Sequence, residues 1–279
     1  IGSRETIIKL NWYCDEYGMD TISTGGVIGF VMEMFEKGII SAAELDGIEP
    51  VWGDAEAALA LAEKMAKVEG CGEWLGQGVA AIAERYPAAQ PFAMQVKGLE
   101  MPAYHPSAAK GTALAYAISE RGACHLRGAP LGELFSGSAD PLIIEGKPQL
   151  FRDHQADKAA WDSACLCIFP SYGMSLKELW QLVTAATGFD FPTARDLERA
   201  GERISTLARL FNVREGFTRE SDTLPDRNLV QPMVGGPASG HIVELDPMLD
   251  DYYRLMGWDE NGVPTEERLA ALGITINNS

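Results

Sequence analysis

Apolar residues recur every three to four positions through most of the chain, and the elements this spacing predicts are helices. Ser3 caps a run from Arg4 to Tyr17, with Gly18 as the natural stop. The Ser23-Thr24 pair caps a second helix, in which Val27, Ile28, Val31, Met34 and Phe35 form one apolar stripe, closed by Gly38. Ser41 to Glu44 is a capping box and opens a short helical turn. Asp54 opens an alanine-rich helix to about Val68, and a further helix carries Trp74, Leu75, Val79 and Ile82 from about Glu73 to Tyr86. The period lapses from Ala88 to Met94, which places a boundary between a domain of residues 1–94 and another of residues 95–279.

Helical patterning resumes from Lys110 to Ile118 and from Lys147 to Trp161, and then behind the capping box Ser175 to Glu178. The longest amphipath starts at Thr193, with Leu197, Ala200, Ile204, Leu207, Leu210 and Phe211 on one face. Asp246 or Pro247 opens a helix to Leu255, and Thr265 caps the last, which Gly273 ends. Val96 to Pro102 reads as a loop with one short strand, so the predicted fold class is mainly α, in two helical domains.

Composition narrows the function. The 279 residues carry 46% hydrophobic and 23% charged residues, ordinary for a globular protein able to bury a large core. No apolar run approaches a membrane span, and no secretory signal opens the chain. A net charge of −17 argues against a non-specific binder of nucleic acid or anionic membrane. It also means that an acidic protein partner needs a locally basic docking face. Five cysteines, at 14, 71, 124, 165 and 167, give an odd count without framework spacing, which predicts a reducing cytoplasm. No C-x-x-C is present, and the four histidines show no zinc-protease spacing, so neither a self-contained metal cluster nor a zinc hydrolase is predicted. Ile1 stands where an initiator Met is expected, with a helix directly behind it, and reads as the start of a fragment.

Two stretches stand out chemically. Asp15-Glu16-Tyr17-Gly18-Met19-Asp20 and Asp162-Ser163-Ala164-Cys165-Leu166-Cys167 each place an Asp at a helix exit. A carboxylate there opposes the helix dipole, and an ionised Asp offers only acceptors, which suit the paired N–H donors of an amino-heterocycle. From these six-residue patterns alone, two ordinary helix C-termini are the simpler reading. Arg121 to Gly128 holds two Arg, His125 and Cys124 without either regular period, the mark of a site loop. On composition alone, His125 reads first as a hydrogen-bonded structural histidine.

Taken together these pieces resemble the C-terminal half, the second and third domains, of the aldehyde ferredoxin oxidoreductase family, tungsten enzymes with two pterin dithiolenes on one metal. The resemblance runs through Asp15 to Gly25, Val96 to Pro102, Arg121 to Arg127, Asp162 to Cys167, Arg209 to Phe217 and Gly257 to Leu272, in order over nearly the whole chain. It implies that Asp15, Gly18, Met19 and Asp20 meet one pterin and Asp162 and Leu166 the other, and that Arg127 meets a pterin phosphate. It implies Cys167 as one ligand of a 4Fe-4S cluster and His125 as the proton-transfer residue beside the metal.

The implied activity is oxidation of an aldehyde to a carboxylic acid with ferredoxin as electron acceptor; the metal is tungsten or molybdenum, and a homodimer is a family habit. Rival readings are a benzoyl-CoA reductase-like catalytic subunit and a helical scaffold without catalysis. Two departures matter. Cys165 stands where the family has Gly, so the turn lacks a free left-handed residue: either the backbone differs there, or Cys165 brings a thiol to the cofactor. The family's β-rich pterin-cradling domain and three further cluster cysteines have no counterpart here, which leaves the chain inactive and without bound cofactor on its own. Cys14, Cys71 and Cys124 read as buried thiols.

Overall fold

A computed structural model of the chain describes residues 1–137 and 139–276. It is mainly helical and divides into two compact units. Unit 1 comprises residues 1–103, 121–123 and 224–231; unit 2 comprises residues 104–120, 124–223 and 232–279, the last three of which lie outside the described residues.

Unit 1 is built on α1 (Arg4–Tyr17), α2 (Thr21–Glu36) and α3 (Ala55–Lys67). Ser3 and Asp54 are the predicted polar caps: Ser3 Oγ accepts from the Thr6 N–H, and Asp54 Oδ1 from Glu56 and Ala57. By contrast, α2 starts before the expected Ser23-Thr24 pair and is capped by Asp20, whose Oδ1 accepts from the Ser23 N–H. The α2 stripe supplies the centre of the core, where Val31, Met34, Leu45, Leu61, Leu75 and Ile82 are all at most 1% exposed. The helix expected from Glu73 to Tyr86 is instead two, α4 (Gly72–Leu75) and α5 (Gly78–Arg85). Gly78 sits at φ +88, a left-handed conformation that no continuous helix passes through. The start of α5 is then held by a distant side chain, since the Val79 N–H donates to the buried Glu100 carboxylate at 2.7 Å.

Glu100 lies on a small antiparallel hairpin, β1 (Gln95–Val96) and β2 (Leu99–Glu100), where the sequence promised a single strand. Lys97 and Gly98 both take positive φ, the signature of a tight two-residue turn matched to strand twist.

Unit 2 centres on α8 (Lys147–Ser163), which packs against α6 (Lys110–Ile118), α10 (Ala194–Arg214) and α12 (Leu245–Met256). Between α6 and α8 runs the short α7 (Gly132–Phe135); α9 (Leu176–Thr187), α11 (Asp226–Val230, in unit 1) and α13 (Glu266–Leu272) complete the set used below. Every residue of α6 is buried, so its orphan N–H groups need protein partners. Glu133 of α7 supplies them: it accepts from Gly111 N–H at 3.3 Å, from Thr112 N–H at 2.8 Å and from the Thr112 hydroxyl at 3.0 Å. Lys147, 1% exposed, neutralises the same carboxylate at 2.5 Å. A buried charge survives only with such full pairing. A second buried pair, Arg209–Asp222 at 2.8 Å, is completed by the Tyr253 hydroxyl on Asp222 and by the Gly262 carbonyl accepting from Arg209 Nε at 2.7 Å.

Candidate functional site

The two Asp-containing exits fold alike. In unit 1, Gly18 takes φ +67, and the Cys14 carbonyl accepts from the Met19 N–H at 2.8 Å. In unit 2, Cys165 takes φ +56, and the Trp161 carbonyl accepts from the Leu166 N–H at 3.5 Å. Counted from each Asp, the carbonyl one residue before it is closed by the N–H four residues after it, a left-handed helix cap. The turn therefore does use a left-handed residue at 165, and the expectation drawn from the absent glycine is corrected. A side chain in that region costs about 1 kcal/mol, and nothing offsets it at an exposed position. Cys165→Gly is accordingly expected to raise the stability of the protein by about 0.5–1 kcal/mol. An unchanged urea midpoint would show the strain to be absent.

The carboxylates themselves are exposed at both exits. Asp15 Oδ2 accepts from Asn11 Nδ2 at 3.0 Å, a contact one helical turn back, and its Oδ1 accepts no hydrogen bond among the described residues. Asp20 gives one oxygen to capping α2. Met19 and Asp20 edge a cavity of about 220 Å³ with Ser23, Thr24 and Gly76. Asp162 Oδ2 meets Arg127 Nη1 at 2.6 Å, and Arg127 Nε lies 3.3 Å from Glu120 Oε1. So two residues expected to meet the cofactor separately are brought onto each other. Their side chains are 35% and 40% exposed, which makes the pair weak and displaceable.

Arg127 belongs to the loop 121–128, shaped by glycines at both ends. Gly122 takes φ +99, and a Cβ there would lie 2.3 Å from the Val96 carbonyl oxygen of the hairpin. Gly128 takes φ +99 with its backbone against α8; a Cβ would lie 2.6 Å from Gln155 Cα. No side chain fits at either position, so the loop lies flush on its neighbours. His125 is half-buried, its ring centroid 5.8 Å from that of Tyr104, whose other contact is the edge of Phe135 at 6.0 Å. Tyr116 is fully buried nearby, and burial pushes its phenol well up, with Tyr104 and Cys124 adding to the shift. Tyr104 and Phe135 escaped the sequence reading because each lies at least seven residues from the motif it serves and follows no period. Glu120, which adjoins the motif, escaped it because a lone carboxylate at a helix exit announces no partner. Asn11 was legible, one helical turn before Asp15.

Cys165 and Cys167 are exposed, whereas Cys14, Cys71 and Cys124 are at most 4% exposed. Burial pushes the Cys71 thiol up to about 11, so it stays protonated. Among the described residues no group of three or more His, Cys, Asp or Glu side chains could hold a metal ion. The donor set therefore fits a shared cluster in part: two accessible thiols, Cys165 and Cys167, suited to a cluster whose other ligands come from elsewhere.

The family model for aldehyde ferredoxin oxidoreductase, domains 2 and 3, matches residues 1–274. Among curated relatives, the tungsten-containing aldehyde ferredoxin oxidoreductase of Pyrococcus furiosus is 41% identical, over 98% of this chain and 46% of its own length. That of Thermococcus kodakarensis is 39% identical with the same coverage. A WOR-like subunit of an aliphatic sulfonate oxidoreductase from P. furiosus is 28% identical, over 97% of this chain and 43% of its own. The chain thus spans about half the length of these relatives. Among solved structures, the active-site complex of a benzoyl-coenzyme A reductase bound to 1,5-dienoyl-CoA superposes with a TM-score of 0.73 at 21% identity, over 96% of this chain and 46% of that one; this likeness concerns the fold.

Proposed function

The chain belongs to the aldehyde ferredoxin oxidoreductase family, and on that premise we propose that it forms the helical part of a tungstopterin oxidoreductase converting an aldehyde to a carboxylic acid. The observation that carries this reading is the duplicated exit: two exposed Asp side chains, Asp15 and Asp162, each three residues before a left-handed cap. Such a carboxylate accepts two parallel hydrogen bonds from a pterin ring's N–H and amino groups. Asp15 with Gly18, Met19 and Asp20 serves one ring, Asp162 with Leu166 the other. When bound, the metal dithiolene supplies the two-electron oxidation.

The chain's own residues bind, orient and move protons. Asp162 offers its second oxygen to the ring while Arg127 holds the first, and Arg127 turns its remaining N–H groups toward a pterin phosphate. His125, steadied by the Tyr104 ring, accepts the proton released as water adds to the aldehyde carbon. Cys167 would contribute one thiolate to a 4Fe-4S cluster, which would supply the electron path from the metal site to ferredoxin. The other three thiolates belong to the part by which the relatives exceed this chain. The accessible thiols suit a reducing cytoplasm, and no helix among the described residues is long and apolar enough to cross a membrane.

Metal analysis of the complete protein, purified anaerobically, tests the reading. Tungsten with about four irons per chain is expected, the content of one cubane cluster. Absence of both metal and iron would leave the non-catalytic scaffold in its place. His125→Ala should keep tungsten and lose roughly 10²–10⁴-fold in turnover, the range of one general acid–base group. Near-normal turnover would remove His125 from the mechanism.

A further inference from the structure

Unit 2 holds a second cavity, of about 550 Å³, within the size range of small-molecule sites. Its walls come from α8, α10 and α13, and its character is unlike the rest of the molecule. Four arginines line it, at 152, 195, 199 and 268, against three carboxylates, in a chain whose net charge is −17.

The state of each charge decides what the cavity can hold. Asp196 is closed on its own helix start, accepting from Thr193 N–H at 3.0 Å and from the Thr193 hydroxyl at 2.7 Å. Glu202 lies between two guanidiniums, meeting Arg152 Nη2 at 2.5 Å and Arg268 Nη2 at 2.7 Å. Arg152 also meets Asp153 Oδ1 at 3.2 Å, a carboxylate 50% exposed, so the two guanidiniums are matched by two carboxylates, one of them screened by water. Arg152, Glu202 and Arg268 are only 24%, 14% and 16% exposed, so water screens their interactions poorly. Arg152 Nε and Arg268 Nε are moreover buried with no hydrogen-bond partner among the described residues.

Arg199 donates to the Ala271 carbonyl, a neutral partner that leaves its charge uncompensated. One turn earlier, Arg195 has no hydrogen bond or ion pair among the described residues, and the positive end of the 21-residue α10 adds to the same field. Glu198 is the single opposing charge not otherwise engaged there.

We propose that this cavity binds a compact dianion, a small dicarboxylate or a phosphate ester, held by Arg195 and Arg199, the two lining arginines that no ion pair offsets among the described residues. Planar guanidiniums match the oxygen pairs of carboxylate and phosphate, and several converging on one space favour a multiply charged ligand. The site is independent of the pterin-binding residues proposed above.

Isothermal titration of the complete protein at pH 7 tests this, with inorganic phosphate and succinate as probes and chloride at matched ionic strength as the blank. Saturable binding of one probe per chain is expected. Phosphate alone indicates a phosphate ester, succinate alone a dicarboxylate. Arg195→Gln should weaken binding at least tenfold and Glu198→Gln should tighten it; both positions lie on the cavity wall and outside the core, so both variants should fold. Heats equal to the chloride blank for both probes would overturn the proposal, as would equal affinities in the wild type and the two variants.

Discussion

On the proposed reading, replacing Cys167 with Ala in the complete protein should abolish the reduced-state EPR signal of a 4Fe-4S cluster and cut electron delivery to ferredoxin to background. Four thiolates hold such a cluster, and loss of one leaves an iron without its protein ligand. No other thiol of this chain can step in from the core: Cys14, Cys71 and Cys124 are at most 4% exposed, and the Cys71 thiol is raised to about 11. Cys165 is the accessible alternative, two residues away. Cys165→Ala is therefore the matched control, and its signal should persist. If the Cys167 variant keeps its signal while the Cys165 variant loses it, the ligand assignment moves to Cys165. If both keep it, the chain contributes no cluster ligand.

A large effect on stability is expected at Gly201, where α10 crosses α8. A Cβ there would lie 1.9 Å from the Ala156 carbonyl oxygen and 2.8 Å from its carbon, contacts that only movement of a helix backbone can relieve. Gly201→Ala should destabilise unit 2 by about 3 kcal/mol, the upper part of the range for overpacking. The natural comparison is Gly29→Ala in α2, where the added methyl meets nothing within 4 Å. There the better helix propensity of Ala should raise stability by up to about 1 kcal/mol. Urea unfolding of both variants reads the difference directly. A Gly201 variant as stable as the parent would mean that the two helices do not approach as closely as described.

The helices were legible because their signals are local. Ser3, Asp54, Ser175 and Thr265 each sit where a cap was expected, and each accepts from the N–H two or three residues on; at α2 the cap is Asp20, one turn before the Ser23-Thr24 pair expected there. The break between α4 and α5 was missed because Gly76 and Gly78 are compatible with a helical stripe. What ends the helix is the left-handed Gly78, together with Glu100, a carboxylate 21 residues away that takes up the freed N–H. Glu133 went unnoticed for the same reason: nothing in a loop-rich segment announces that its carboxylate caps α6 and binds Lys147.

The site divides along the same line. Asp15, Asp162 and Cys167 were visible as a repeated pattern. The pairing of Arg127 with Asp162 spans 35 residues and has no trace in spacing. The left-handed Cys165 also could not be read from residue type, which argues for the opposite conformation.

The late return of residues 224–231 to unit 1 bears on how the chain is made. Arg227 on α11 grips Glu33 of α2 through both terminal nitrogens and stacks over Phe92 at 5.4 Å, closing a contact across 194 positions. A ribosome adding about 5–20 residues per second leaves α2 waiting some ten seconds or more for its partner. In that interval the Glu33 end of α2 has only Lys37, 3.6 Å away and half exposed, in place of its two-pronged arginine partner. Unit 1 is thus first in sequence but finishes folding only after most of unit 2 has been synthesised, which makes the N-terminal helices the natural client of a chaperone that acts before release.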